Sequence, residues 1–186
     1  MKLRVIFGVA CFMVAGLTYA QTNMGIKGGL NFSTIYPGGN SSLGLRTGFH
    51  AGLLWHIHLS QGIAFQPELV YSLQGARLSN NEKLNLGYIN APFLLQAMVG
   101  RGFRLEAGPQ LGFLVNAKTQ SGNTFENVRQ SYKTIDAALA VGFGFVGKVG
   151  LGFDVRYNYG LSNINKSGGD VANRVFQVGL FYQFKY

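Results

Sequence analysis

The stretch VFQVGLFYQFKY, residues 175–186, alternates apolar and polar side chains over most of its length. On an extended strand, one face carries Phe176, Val178, Leu180, Tyr182, Phe184 and Tyr186, and the other carries Val175, Gln177, Gly179, Phe181, Gln183 and Lys185. A period of two residues predicts a β-strand. Because one face is broad, apolar and rich in aromatic residues, we expect it to contact lipid while the other face lines a polar interior.

The amino terminus has the features of an export signal. Lys2 and Arg4 precede an apolar run at residues 5–17, and small residues at 18–20 form a cleavage motif. We therefore expect residues 1–20 to be a cleaved signal peptide and residues 21–186 to form one domain. The apolar run is shorter than the roughly 20 residues that a membrane-spanning helix requires. It contains the single cysteine, Cys11, so the mature domain is expected to have no disulfide and no thiolate metal ligand.

Seven further segments carry the same alternation, which predicts an all-β, eight-stranded antiparallel up-and-down barrel that spans a membrane. The predicted strands are 24–35, 45–58, 63–74, 86–99, 103–117, 132–146, 151–161 and 176–186. Short turns at 59–62, 100–102 and 147–148 alternate with long polar connections at 36–44, 75–85, 118–131 and 162–173. Because such barrels have short periplasmic turns and longer external loops, we expect both termini in the periplasm and four loops outside.

Several segments resemble the outer membrane protein β-barrel domain family, whose small barrels are often labelled porin-family. The resemblance rests on GIKGGLNFS (25–33), QPELVYS (66–72), YINAP (88–92), EAGPQLG (106–112) and the aromatic end. It implies an integral outer-membrane protein of a Gram-negative-type envelope and is silent about activity. It also implies that barrel assembly machinery recognises the terminal strand through Phe176, Val178, Leu180, Tyr182, Phe184 and Tyr186.

Charged residues occupy predicted inward positions at similar distances from the periplasmic strand ends. They are Lys27, Glu68, Arg104, Glu106, Asp154 and Arg156, with Lys185 on the terminal strand; Asn116 is also predicted to point inward. Because buried charges are costly unless paired, we expect an interior charge belt that plugs the lumen. A proton or ion path is the alternative interpretation. Eight strands enclose room only for side chains or one small ligand, which favours the plug.

Aromatic residues on the apolar faces are placed to mark the two membrane interfaces. Trp55 and Tyr186 fall near periplasmic strand ends, Tyr71 and Tyr159 fall near outer ends, and Tyr157 and Tyr182 share those faces. Each ring joins an apolar body to a polar tip, which suits the level of the lipid head groups. We therefore predict an aromatic girdle in contact with outer-membrane lipid.

Residues suited to catalysis or metal binding are few. His50, His56 and His58 share one strand face, but a closed zinc site needs four ligands. Ser33, His50 and Asp136 match a serine-hydrolase set by residue type alone, without a nucleophile-elbow or phosphate-loop motif. We therefore expect no cofactor, no metal and no catalysis.

The positive net charge of the chain indicates which chemical class of partner it could bind. The formal net charge of +9 becomes +7 when Lys2 and Arg4 are removed with the signal peptide. Export and the absence of a Lys/Arg-rich run argue against nucleic acid, so anionic head groups or surface polysaccharide fit the basicity better. The expected function is a structural or surface-interaction role, with an extracellular or envelope partner bound by the four loops. Three alternatives stay open: a narrow passive diffusion pore, an envelope assembly or secretion accessory, and an outer-membrane lipid-modifying enzyme.

Overall fold

The computed structural model describes residues 22–37, 43–78, 82–166 and 171–184. Within these ranges the strands are β1 (Thr22–Pro37), β2 (Arg46–His58), β3 (Ile63–Arg77), β4 (Glu82–Val99), β5 (Phe103–Ser121), β6 (Thr124–Asn127), β7 (Ile135–Val146), β8 (Leu151–Gly160) and β9 (Val171–Gln183). A 3-10 helix, Arg129–Ser131, follows β6. None of the described residues forms a helix long and apolar enough to cross a membrane. The predicted signal peptide, Lys185 and Tyr186 lie outside the described residues.

The sheet closes on itself through antiparallel pairs. The first strand meets the last, with Leu30 opposite Val178, and β4 pairs with β5. Eight strands thus form a closed barrel, as predicted, while β6 extends the sheet beside one end of β5. We call the end of the barrel that carries β6 and the long connections the outer end. Closure pairs the backbone groups that an edge strand would leave free, which is a condition for crossing lipid as strands.

The barrel wall is apolar on its outer face and polar on its inner face, which is the reverse of a water-soluble protein. Large apolar residues lie outside, with Leu30 at 51%, Leu95 at 54% and Leu180 at 64% exposure. Polar residues lie inside, where Asn31 and Gln96 are almost fully buried. An apolar outer surface of this extent fits lipid as its surroundings.

The hairpins reach further past the outer rim than the sequence predicts. β3 continues to Arg77 and β4 begins at Glu82, so most of the segment predicted as a loop at 75–85 is strand. β5 continues to Ser121 and turns back into β6, which replaces part of the loop predicted at 118–131. In these extensions the polarity of the two faces is reversed: Ala76 and Leu84 are buried inside, whereas Arg77 is exposed on the other face. The pattern of apolar outward residues that identified the strands therefore does not extend to them.

A β-bulge changes the face on which the outer part of β5 presents its side chains. Gly87 lies opposite Asn116 but Tyr88 lies opposite Leu114, so one residue of β5 is extra. The extra residue shifts the alternation, and Ala117 rather than Asn116 is buried. The prediction that Asn116 points inward is therefore wrong.

Candidate functional site

A cluster of charged side chains fills the middle of the lumen. Arg156 binds Glu68 in a bidentate pair, with Nη1 to Oε2 at 2.8 Å and Nη2 to Oε1 at 2.9 Å. The Nε of Arg156 donates to Oε1 of Glu106 at 2.8 Å. The Nζ of Lys27 lies 3.3 Å from Glu68 Oε2 and 2.9 Å from Asp154 Oδ2. We call these five residues the ion-pair cluster; none of their side chains is more than 5% exposed.

The ion-pair cluster is assembled from inward positions on β1, β3, β5 and β8, and glycine on β7 leaves room for it. A Cβ at Gly142 would lie 3.2 Å from Glu106 Oε1 and 2.4 Å from the carbonyl oxygen of Val155. Any larger residue there would collide with the neighbouring backbone and crowd the Glu106 carboxylate. The small residue therefore allows long charged side chains to meet inside a narrow barrel.

Arg104 lies on the same inward face but takes other partners. Its Nη1 lies 3.4 Å from Gln96 Oε1 and its Nη2 lies 3.3 Å from Gln183 Oε1. Its guanidinium carbon is 5.4 Å from the centre of the Phe181 ring. Gln96 also donates to Glu106 Oε2 at 2.9 Å, so an amide links Arg104 to the ion-pair cluster. Of the seven residues predicted for the belt, the structure joins five directly, one through an amide, and does not describe Lys185.

A layer of amide side chains lies next to the ion-pair cluster, and the sequence analysis did not assign it a role. The Nδ2 of Asn31 donates to Ser72 Oγ at 2.9 Å. The Oδ1 of Asn31 accepts from Gln177 Nε2 and contacts His50 Nδ1, both at 2.8 Å. The Nδ2 of Asn158 in turn donates to Gln177 Oε1 at 2.9 Å. The sequence signal for this layer was the presence of several Asn and Gln residues at inward positions. Amide side chains can both donate and accept hydrogen bonds, so they can pair with one another where a buried charge would be costly.

The outer end of the lumen is apolar. The buried apolar layer consists of Ile35, Ala76, Leu84, Leu86, Tyr88, Leu114, Ala117 and Ile164, with Leu43, Val128, Tyr132 and Val171 packed against it. Several of these residues belong to segments predicted to be polar loops, so the sequence analysis missed the layer. Deeper in the barrel, the gap lined by Lys27, His50 and Arg156 has no space for a water-sized sphere.

The predicted girdle residues that the structure describes lie on the outer face. Tyr71, Tyr157, Tyr159 and Tyr182 are 37–42% exposed, and Trp55 is half-buried. The ring centres of Tyr71 and Phe49 are 6.1 Å apart. Tyr186 lies outside the described residues.

A tyrosine that the sequence analysis did not select completes an aromatic and cationic cluster near the outer rim. The guanidinium of Arg174 lies 3.9 Å from the ring centre of Tyr36 and 4.7 Å from that of Tyr159. A cation over an aromatic face is attracted by the ring quadrupole. The cluster therefore orders a positive charge on the outer face.

The terminal strand presents its apolar residues outward. Phe176, Val178, Leu180, Tyr182 and Phe184 are 38–64% exposed. The rings of Tyr182 and Phe184 pack edge to face with their centres 5.4 Å apart. This surface is contiguous and accessible from the side of the barrel.

The candidate catalytic residues do not contact one another. Ser33 donates to the carbonyl oxygen of Arg46 at 3.3 Å, His50 contacts Asn31, and Asp136 accepts from Ser162 at 2.5 Å. The rings of His56 and His58 lie 4.6 Å apart. Among the described residues, no group of three or more His, Cys, Asp and Glu side chains could hold a metal ion.

Comparison with known proteins identifies the family of the chain. The sequence matches the outer membrane protein β-barrel domain family over residues 19–166. No curated protein matches the chain.

Two solved structures illustrate the likeness in fold. Ail, the attachment invasion locus protein of Yersinia pestis, aligns with a TM-score of 0.57 and 17% identity over 88% of this chain and 99% of that one. Neisserial surface protein A aligns with a TM-score of 0.62 and 12% identity over 87% of this chain and 97% of that one. At these identities the likeness concerns the fold alone. Because the family match spans most of a sequence that folds into a closed, apolar-surfaced barrel, the chain belongs to the outer membrane protein β-barrel domain family and resides in the outer membrane.

Proposed function

We propose that this protein is a non-catalytic, structural and surface-interaction component of the outer membrane whose lumen is closed by its own side chains. The observation that carries the proposal is the filling of the lumen by the ion-pair cluster together with the apolar layer beyond it. An ion crossing the barrel would have to separate buried ion pairs and then pass through an apolar layer.

The external surface supports a role in binding. Described basic residues that are exposed or half-buried at or near the outer end are Arg77, Lys83, Lys118, Arg129, Lys133, Lys166 and Arg174, whereas the described acids that are exposed or half-buried there are Glu82 and Glu126. We propose that the outer hairpins bind a negatively charged extracellular or envelope partner, because complementary charge steers association. Outer-membrane lipid surrounds the barrel wall, and barrel assembly machinery contacts the terminal strand during insertion.

A catalytic role has weaker support. Ser33, His50 and Asp136 each hydrogen-bond to a different partner, so the nucleophile, base and orienting acid of a triad are not assembled. The alternative of a lipid-modifying enzyme would gain support if purified protein hydrolysed or transferred acyl chains and His50→Ala abolished that activity.

Conductance across planar bilayers tests the closed lumen. We expect the purified barrel to leave the membrane current at its background level, because the paired charges and the apolar layer block the passage. A 16-stranded porin, which has an aqueous channel, serves as the positive control in the same bilayer. Reproducible single-channel steps from this protein would instead establish the diffusion pore.

A further inference from the structure

A basic pocket opens on the barrel wall at the outer ends of β2 to β5. It has a volume of about 220 Å³ and is lined by Arg46, Thr47, Arg77, Lys83, Asn85 and Gln120. Three of these residues are cationic and the other three are neutral hydrogen-bonding residues. A water molecule occupies about 30 Å³ in the liquid, so the pocket has room for a small anion and several waters. We call it the rim pocket.

Two of the cations in the rim pocket face each other directly. Arg77 of β3 is the register partner of Lys83 of β4, and Lys83 is the partner of Gln120 on β5. The backbone of Arg77 exchanges hydrogen bonds of 2.9 and 3.0 Å with Gly44, which fixes its place. Like charges directly opposite on neighbouring strands are destabilising. An anion bound between Arg77 and Lys83 would attract both cations and so turn a net repulsion at this place into a net attraction.

The third cation of the rim pocket is buried and incompletely paired. Arg46 is 8% exposed; it donates through Nη1 to the carbonyl oxygen of Gln74 at 3.1 Å and through Nη2 to Asn85 Oδ1. Its buried Nε has no hydrogen-bond partner among the described residues. An unmet donor on a charged group is costly, so its retention suggests a further acceptor.

Glycine makes this placement of Arg46 feasible. Gly75 has a φ of +137°, which disfavours other residues, and a Cβ there would lie 3.3 Å from Cδ of Arg46 and 1.9 Å from the carbonyl oxygen of Leu84. A side chain at this position would therefore obstruct the wall beside the guanidinium. The backbone of the hairpin is thus shaped to accommodate the buried cation.

The height of the rim pocket indicates where its ligand comes from. Thr47 is exposed on the same strand face as Phe49, whose ring packs near Tyr71 on the lipid-facing wall. The pocket therefore lies just beyond the apolar and aromatic band, at the level that lipid head groups occupy. Glu82 is the acidic residue nearest to Lys83 in the sequence. Because neighbouring residues of a strand point to opposite faces, Glu82 and Lys83 lie on different faces of β4.

We propose that the rim pocket binds a phosphate group carried by the head group of an outer-leaflet glycolipid. Guanidinium and ammonium groups donate charge-assisted hydrogen bonds to phosphate oxygens, and the amide nitrogens of Asn85 and Gln120 add neutral donors. The Nε2 of Gln120 has a second hydrogen besides the one it donates to the carbonyl oxygen of Gly122 at 3.2 Å. The site specifies the partner of the surface-interaction role proposed above, and it rests on that role and on the outward orientation of the hairpins.

Binding of a phosphorylated glycolipid to the detergent-solubilised barrel tests this site. The probes are a glycolipid with phosphate monoesters, the same lipid after enzymatic dephosphorylation, and inorganic phosphate. We expect the phosphorylated lipid to bind at least about tenfold more tightly than the dephosphorylated one, and inorganic phosphate to compete only at far higher concentration. Equal binding of the two lipids would overturn the site, and inorganic phosphate that binds as tightly as the lipid would overturn the lipid assignment.

A matched pair of variants separates the rim pocket from general basicity. Arg77→Gln/Lys83→Gln should weaken binding of the phosphorylated lipid about tenfold or more, since two charged donors are lost. Lys133→Gln/Lys166→Gln removes the same charge from other outer segments and should change binding less than about twofold. Equal weakening by both variants would show diffuse attraction and overturn the pocket.

Thermal unfolding without lipid shows whether the pocket variant folds. Its midpoint should be no lower than that of the wild type, because a repulsive pair has been removed. A lower midpoint would contradict the repulsion on which the argument depends. The closed lumen is tested separately by conductance, so a negative lipid result with a silent bilayer would refute the pocket and leave the lumen proposal standing.

Discussion

Arg156 and Arg104 show that two buried arginines on one lumen face have different energetic roles. Arg156 binds two carboxylates, through Nε to Glu106 and through both Nη atoms to Glu68. Arg104 has amide partners at 3.3 and 3.4 Å. A buried carboxylate that loses its base must either keep an uncompensated charge or take up a proton, and both are costly, whereas an amide that loses a donor remains neutral.

Substituting residues of the ion-pair cluster should destabilise the barrel. We expect Arg156→Met or Glu68→Ala to lower the free energy of unfolding by about 3–5 kcal/mol, because the first leaves Glu106 without a base and the second leaves Arg156 and Lys27 with one carboxylate partner each. Urea-induced folding and unfolding in lipid vesicles measures the effect, and planar bilayers should show no new channel.

Matched controls distinguish loss of the ion pairs from loss of any charge. Arg104→Met should cost less than Arg156→Met, and Glu126→Ala, at an exposed position on β6, should change stability by about 0.5 kcal/mol or less. If Arg104→Met were as costly as Arg156→Met, the carboxylate pairing would not be the source of the stability.

The terminal strand β9 has two roles that one substitution can separate. Its outward residues contact lipid, and we propose that barrel assembly machinery recognises its aromatic end. A charge near the membrane interface costs only about 0–1 kcal/mol for Arg or Lys, and less for Asp or Glu. Loss of lipid contact alone is therefore too small to prevent insertion.

We expect Phe184→Asp to reduce the amount of barrel in the outer membrane of cells several-fold, because the aromatic end is disrupted. The same variant should refold in detergent micelles to nearly the wild-type yield. Phe184→Leu, which keeps an apolar side chain but removes the ring, tests whether the aromatic character matters; Tyr186→Asp extends the test to the last residue. Normal levels of Phe184→Asp and Tyr186→Asp in cells would refute the recognition role.

At the scale of the whole molecule, the two ends of the barrel differ in length of connection and in charge. The short turns lie at one end with the start of β1 and the end of β9, and they carry the basic residues Arg101 and Lys148. The extended hairpins, with a larger number of basic residues, lie at the other end. We propose that the short-turn end, with both termini, faces the periplasm.

Single cysteines can test this orientation, because removal of the signal peptide would leave the mature chain without a thiol of its own. Glu126→Cys, in the outer hairpin, should react with a membrane-impermeant maleimide on intact cells. Val149→Cys, in the turn between β7 and β8 where Val149 is 73% exposed, should react only after the outer membrane is permeabilised. Labelling of Val149→Cys on intact cells would reverse the orientation and would place the rim pocket at the inner leaflet.

The sequence by itself determined the number of barrel strands, their approximate limits and the face on which most of their residues lie. Successive residues of a strand face lipid and lumen in turn, so apolar and polar residues alternate along the sequence. The face of each residue can therefore be inferred from its immediate neighbours. This is why Leu30, Leu95 and Leu180 could be assigned outward, and Glu68 and Arg156 inward, before any contact was known.

Only the tertiary structure decided which of these residues meet. Glu68 and Arg156 are 88 positions apart, and their pairing depends on the register of every strand between them and on the closure of β1 against β9. The bulge beside Gly87, the apolar layer and the rim pocket likewise arise from distant strands. Alternation specifies a face but not a height or a neighbour, because both depend on how the whole sheet is staggered when it closes.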